Sequence, residues 1–278
     1  MRYRALIIGT FVVWVAGSAH AAFTNNIMLT GYWPPTNNML RHFSTNPEQN
    51  PDGWEGQNWE SRGYDIHSYF PEFPYGLGKG EGDFEVDYQD TSEDFWRVVA
   101  DIHPVAIISF GRGSPGRNWE VEWRARNLAQ WIDDYEAPRQ PTPAPPEPNM
   151  PVDHIRYSSL PMQEIVDAVN AAYAEITLDA YIDETGFAGE FLCEYIAYHT
   201  MWYHELHADQ NDPYWNVSAG FIHVGSDVYR RAGRIATEIS LRELITYVDS
   251  QVPEPGSAVL LALLAVVASS VHAARRAS

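Results

Sequence analysis

Apolar residues along this chain fall into short continuous runs. Polar stretches rich in glycine, proline and aromatic residues separate them. The segment "NNIMLTGYWPP" carries one such run at residues 27–30, closed by Gly31, Pro34 and Pro35, and predicts a short buried strand. Residues 37–82 read as loops with one strand over 64–70. "DFEVDYQD" alternates and predicts another strand. "TSEDFWRVVADIHP" predicts a helix capped by Thr91 or Ser92, with Pro104 past its end. "PVAIISFGRG" is apolar throughout until glycine stops it, as a central strand buried on both faces requires. Residues 120–135 read as helical in part. The helix starting at "SSLPMQEIV" has Ser159 as its cap and Pro161 in its first turn, with Ile165, Val169 and Tyr173 on one face. "LDAYIDETG" predicts a strand and turn, "AGEFLCEYIAYHTMWYHE" a helix, and "AGFIHVG" a further buried strand. "ATEISLRELITYVDS" predicts a closing helix with Thr237 as its cap. Strands alternating with helices predict an α/β domain with helices on both faces of one sheet.

Residues 137–151, "APRQPTPAPPEPNMP", are proline-rich and predict an extended, semi-rigid segment. We read it as a surface insertion rather than a domain boundary, because neither half alone supplies a complete sheet. The 278 residues, 45% of them hydrophobic, suffice for one sizeable domain with a real core. The formal charge of −19 argues against nucleic acid and anionic membrane surfaces as partners. A solvated acidic surface accounts for it.

Both ends look like processing signals. Residues 1–22 place Arg2 and Arg4 before an apolar stretch and then Ala19-His20-Ala21, the pattern of a secretory signal peptide cleaved near Ala21 or Ala22. At 252–278, Val252-Pro253-Glu254-Pro255 precedes an apolar segment and then Arg275 and Arg276. This order resembles the PEP-CTERM sorting signal of Gram-negative bacteria. The resemblance implies export, a transient transmembrane anchor, and signal peptidase and exosortase as processing enzymes. The folded domain is then 23–251.

Cys193 is the chain's one cysteine, so it has no internal disulfide partner. It falls in the first turns of a predicted helix, after a turn at 186–189. There the unsatisfied N–H groups and the positive helix end favour a thiolate and an oxyanion. His223, near the end of a predicted buried strand, is a candidate base, and a carboxylate would complete the set. A rival lies in "YHTMWYHELHADQ", which holds His199, His204, Glu205 and His207. Its "HELH" is one residue short of the zinc-binding H-E-x-x-H spacing and reads as a polar helix end.

The segments that carry these residues resemble pyroglutamyl-peptidase I, a cysteine peptidase family. The matching pieces are Ser159-Leu160-Pro161, Ala188-Gly189-Glu190-Phe191-Leu192-Cys193-Glu194 and Gly220-Phe221-Ile222-His223-Val224-Gly225. Upstream, Gly116-Arg117 and Glu122-Trp123-Arg124-Ala125-Arg126-Asn127 match a Gly-Gly-Arg and a Glu-x-x-Ala-x-Asn motif, with the spacing one residue shorter. The resemblance runs from about residue 27 to 248. It implies a three-layer α/β/α sandwich of the phosphorylase/hydrolase type with a mixed central sheet. It implies Cys193 as nucleophile, His223 as proton shuttle and Glu122 as its orienting carboxylate, with Glu120 as a weaker competitor. Arg117 would support the oxyanion, Tyr32 and Trp33 would line the substrate pocket, and neither metal nor cofactor would be needed. The substrate would be a peptide or small amide with an N-terminal pyroglutamyl residue; a differently capped amide and a non-catalytic surface protein remain as alternatives. The chain departs from the family pattern at Arg112, Glu194 and Gly225.

Overall fold

The structure, a computed structural model, describes residues 24–252. The segments predicted as a signal peptide and an apolar C-terminal span lie outside these residues. Among the described residues no helix is long and apolar enough to cross a membrane. The strands are β1 (Asn26–Thr30), β2 (Asp65–Tyr69), β3 (Ala106–Arg112), β4 (Asn118–Glu122), β5 (Arg124–Arg126), β6 (Ile155–Tyr157), β7 (Asp179–Asp183) and β8 (Ser218–Val224). The helices are α1 (Thr36–Leu40), α2 (Tyr88–Ile102), α3 (Met162–Ala171), α4 (Tyr173–Ile176), α5 (Leu192–Leu206) and α6 (Arg230–Gln251).

Six strands form one mixed sheet in the order β2-β1-β3-β8-β4-β7. The pairs β1/β2, β1/β3, β3/β8 and β4/β7 are parallel, and β4 meets β8 antiparallel. Alternation along each strand divides the core in two. Ile108, Phe110, Trp119, Val121, Ile222 and Val224 face one layer, packed by α1, α3 and α6. Met28, Ile107, Ala219 and Phe221 face the other, packed by α2 and α5. The result is a three-layer α/β/α sandwich. The same alternation sends Glu120, Glu122 and His223, the residues between those of the first face, toward α5.

Several local expectations fail. "DFEVDYQD" is not a strand: the Asp87 carboxylate accepts from the Gln89 and Asp90 amides at 2.9 and 3.0 Å and starts α2 at Tyr88, ahead of Thr91 and Ser92. Its alternation arises because Phe84, Val86 and Tyr88 are all buried on the way into the helix. Residues 120–135 are not helical. They form the end of β4, then β5 and irregular chain, with β5 paired antiparallel to β6. Ser159 does not cap α3; its hydroxyl and its amide bind the Ala219 backbone, while its carbonyl accepts from Ser218 Oγ. The helix breaks at Ala172 into α4, leaving Tyr173 49% exposed. Thr237 lies inside α6, where its hydroxyl donates to the Gly233 carbonyl.

The proline-rich segment forms neither helix nor strand. The sheet takes strands from both sides of it. Asn127 ties it to the body: its amide group donates to the Glu147 and Pro151 carbonyls at 3.0 and 3.2 Å, and its side-chain oxygen accepts from the Glu147 amide. The Glu147 carboxylate in turn binds buried Arg156 and the Tyr198 hydroxyl, each at 2.6 Å.

Candidate active site

Parallel β3 and β8 end side by side, with Gly111 opposite His223 in register. Ligand crevices in open α/β sheets lie at such carboxyl ends. Helix α5 begins directly over this edge. Phe191 precedes it without a side-chain cap, so the amides of the first turn are left for another acceptor. Cys193 is the second residue of α5 and is partly exposed. Its sulfur rests on Gly111, where a Cβ would come within 2.6 Å of Cys193 Sγ and of the Phe221 ring. Glycine at 111 is therefore what lets the sulfur sit so close to the sheet.

His223 Nδ1 is 2.6 Å from Glu122 Oε1. Glu122 is 1% exposed, and its Oε2 has no hydrogen-bond partner. With Nδ1 engaged, Nε2 is the ring nitrogen left for Cys193, which lies within hydrogen-bonding reach of the imidazole. Burial alone would lower the pKa of His223. The Cys193 sulfur and the Glu122 carboxylate outweigh it and push the pKa up to about 10. Glu120 stands directly opposite His223 on β4. It accepts from the Tyr181 hydroxyl, and burial and then the Glu122 charge raise its pKa. The direct hydrogen bond to His223 is made by Glu122, not Glu120.

Cys193 and His223 open into a cavity of about 520 Å³. Tyr32 and Trp33 form one wall. Tyr32 is buried, with its hydroxyl against Thr91 at 3.3 Å, and burial raises its pKa well above the usual tyrosine range, so it stays neutral. The Trp33 indole donates to the Gly78 carbonyl at 2.8 Å. Phe187, Phe191 and Ile132 add large apolar side chains to the lining. The sequence reading missed all three. Phe187 is held between two guanidiniums, with Arg126 and Arg124 at 3.9 and 4.2 Å from its ring centre. The only signal for it in the sequence is an aromatic residue between the two glycines before Cys193.

Arg117 does not join this group. It is exposed, donates to Thr177 Oγ1 at 3.1 Å and lies over the Tyr229 ring. The β3–β4 loop turns it away from the sulfur. Arg112, Gly113 and Ser114, at the end of β3, line the cavity instead.

The departures from the family pattern resolve differently. Gly225 donates its amide to the Asn118 carbonyl at 2.9 Å, and a Cβ there would lie 2.3 Å from the Gly116 carbonyl oxygen. The close approach of the β3–β4 loop thus excludes a proline at 225 in this chain. Glu194 points away from the cavity. Its side chain is fully buried and accepts from the Arg126 amide at 2.6 Å and from Arg126 Nε at 3.4 Å. Burial pushes its pKa up to about 7, against the opposing pull of Arg126. Between about 4.5, the ordinary value, and about 7 the folded chain keeps a proton that the unfolded chain has released. Stability therefore falls as pH rises through that window, by about 3 kcal/mol from this group. Glu194→Gln is expected to remove that slope, as read by denaturant midpoints at about pH 5 and about pH 8. Equal slopes in both proteins would refute the assignment.

The histidines of the "HELH" stretch do not converge on a common point. His199 packs among Phe95, Trp96, Tyr195 and Trp202. His204 Nδ1 meets Asn216, and His207 Nδ1 meets Asp212. Glu205 pairs with Arg156.

The fold has known counterparts. Pyrrolidone carboxyl peptidase from Thermococcus litoralis matches with a TM-score of 0.56 at 17% identity, over 83% of this chain and 99% of that one. Pyroglutamyl peptidase I from Bacillus amyloliquefaciens matches with a TM-score of 0.52 at 16% identity, over 80% and 97%. Pyrrolidone carboxyl peptidase from Pyrococcus furiosus matches with a TM-score of 0.55 at 15% identity, over 80% and 99%. No curated protein sequence matches the chain. The pyroglutamyl peptidase family model matches residues 84–234, more than half of the chain and the stretch that holds Glu122, Cys193 and His223. The chain belongs to the pyroglutamyl peptidase family of cysteine omega-peptidases.

Proposed function

We propose that the protein is an exported cysteine peptidase that hydrolyses the amide bond after an N-terminal pyroglutamyl residue. The observation that carries this reading is the cluster at the cavity floor. The Cys193 sulfur sits at the start of α5, within reach of an imidazole that Glu122 holds at 2.6 Å. In this mechanism His223, whose raised pKa keeps it protonated, already carries the proton as the Cys193 sulfur attacks the amide carbonyl carbon. The oxyanion is met by the uncapped amides at the start of α5. His223 then gives its proton to the leaving amine, which departs and leaves a thioester. Water, deprotonated by His223, attacks the thioester and releases pyroglutamate and the thiol. Glu122 keeps Nδ1 protonated and balances the charge on the ring. Tyr32, Trp33, Phe187 and Phe191 supply the apolar slot that a neutral lactam ring suits.

Export is part of the proposal and rests on residues 1–22 and 252–278. The signal-peptide pattern would direct the chain out of the cytoplasm. The Pro-Glu-Pro, apolar and basic order would anchor it until an exosortase cuts it. Expressed with its own termini in a Gram-negative host, the protein is expected outside the cytoplasm. Under reducing conditions it should release a fluorophore from a pyroglutamyl amide at least a hundredfold faster than from the prolyl and N-acetyl-alanyl amides. Preference for another capped amide would keep the peptidase and reject this substrate. No turnover of any amide would favour a non-catalytic surface protein, and recovery in the cytoplasm would reject export.

A further inference from the structure

Two carboxylates and an imidazole meet at the cavity floor, and the mechanism uses only one of the carboxylates. One donor atom each from Glu120, Glu122 and His223 lie within 4.8 Å of one another. Strand geometry accounts for this: Glu120 and Glu122 are two apart on β4, so they share a face, and Glu120 is paired directly with His223 of β8. Glu122 is almost wholly buried, yet its Oε2 has no partner. A buried carboxylate oxygen without a donor is costly, and a cation removes that cost. Glu120 is already oriented by a hydrogen bond from Tyr181, as carboxylate ligands of metals commonly are. Asp183, opposite Glu122 in register, is spoken for: its Oδ1 accepts from the Thr185 and Gly186 amides.

From this arrangement we infer that Glu120, Glu122 and His223 form a binding site for a divalent transition-metal ion of the zinc type, which blocks the catalytic group. One imidazole nitrogen and two carboxylate oxygens are a donor set that zinc accepts, with a fourth position open to water. Ligand bonds of about 2.0–2.2 Å in a tetrahedral site put donors about 3.3–3.6 Å apart, so side-chain shifts of up to about 1.5 Å close the site. The ion replaces the proton between His223 Nδ1 and Glu122 Oε1, and that proton passes to solvent. His223 then has no steering carboxylate, and the cation on Nδ1 lowers the basicity of Nε2, the nitrogen that exchanges its proton with Cys193. The site is a means of inhibition that a chelator reverses. Its effect on turnover rests on the peptidase reading; the binding itself does not.

The experiment measures binding directly. The chelator-treated Cys193→Ala protein, which lacks the thiol as a competing ligand, is titrated with zinc chloride by calorimetry. One ion per chain is expected, with affinity reduced at least tenfold by adding Glu120→Gln. Adding Glu120→His instead should keep most of the affinity, since imidazole replaces one zinc ligand with another while removing the charge. Adding Asp183→Asn should change affinity less than threefold. The proposal is overturned if Cys193→Ala alone abolishes binding, because the thiol would then hold the ion. It is also overturned if Glu120→His loses as much affinity as Glu120→Gln, or if Asp183→Asn matches Glu120→Gln, because general acidity would then account for the attraction. Circular dichroism melts of each variant show that the comparison is between folded proteins.

Discussion

Cys193→Ala is expected to lower kcat/KM on a pyroglutamyl amide by roughly 10⁴–10⁶-fold, the scale on which removal of a nucleophile acts. The fold should tolerate it. The side chain is partly exposed at the cavity floor, and the change removes one sulfur atom without leaving a buried group unpaired. The melting temperature should move by no more than about 3 °C. The size of the effect follows from position rather than from burial. The sulfur is held against Gly111 and Phe221 at the head of α5, facing His223. No other described side chain offers a nucleophile in that place. Turnover that survived in Cys193→Ala and disappeared with a chelator would transfer the chemistry to a metal and refute the thiol mechanism.

Glu122→Gln is expected to lower kcat by roughly 10²–10⁴-fold with little change in KM, because it alters the base without touching the pocket wall. Glutamine keeps the size of the side chain but loses the charge that balances the imidazolium. Its amide group also competes to donate where Nδ1 now donates at 2.6 Å. The Glu122 carboxylate is among the groups that push the His223 pKa up, so the same variant should lower that pKa, as an NMR titration of the ring would read. Glu120→Gln should cost less in kcat than Glu122→Gln, because Glu120 bonds Tyr181 instead of the imidazole. The reverse order of the two losses would exchange the roles of the two carboxylates.

The central strands were legible in the sequence because β1, β3 and β8 are continuous apolar runs that lie inside the sheet. The strand β4 was hidden. Its polar positions, Glu120 and Glu122, line the cavity, so the segment lacks the continuous apolar run that marks the other central strands, and 120–135 reads as helical in part. Helix starts were misplaced where a hydroxyl had a tertiary use. Ser159 binds Ala219 across the fold, and Asp87, inside what read as a strand, does the capping instead. Cys193, His223 and Glu122 were named from the family motifs that hold them, and the fold brings the three side chains to one cavity. The position of Arg117 was not legible: it lies at the end of the β3–β4 loop, where it bonds Thr177 and lies over the Tyr229 ring. Phe187 and Phe191 were missed because their place in the wall depends on packing from distant segments. Arg124 and Arg126 of β5 hold Phe187, and Trp33 lies beside Phe191.

The most direct measurement is mass spectrometry of the protein quenched with acid during turnover of a pyroglutamyl ester, which acylates faster than an amide. The account predicts a pyroglutamyl thioester on the tryptic peptide that contains Cys193, lost when the quench is delayed until substrate is exhausted. Full turnover with Cys193 unmodified at every time point would contradict it.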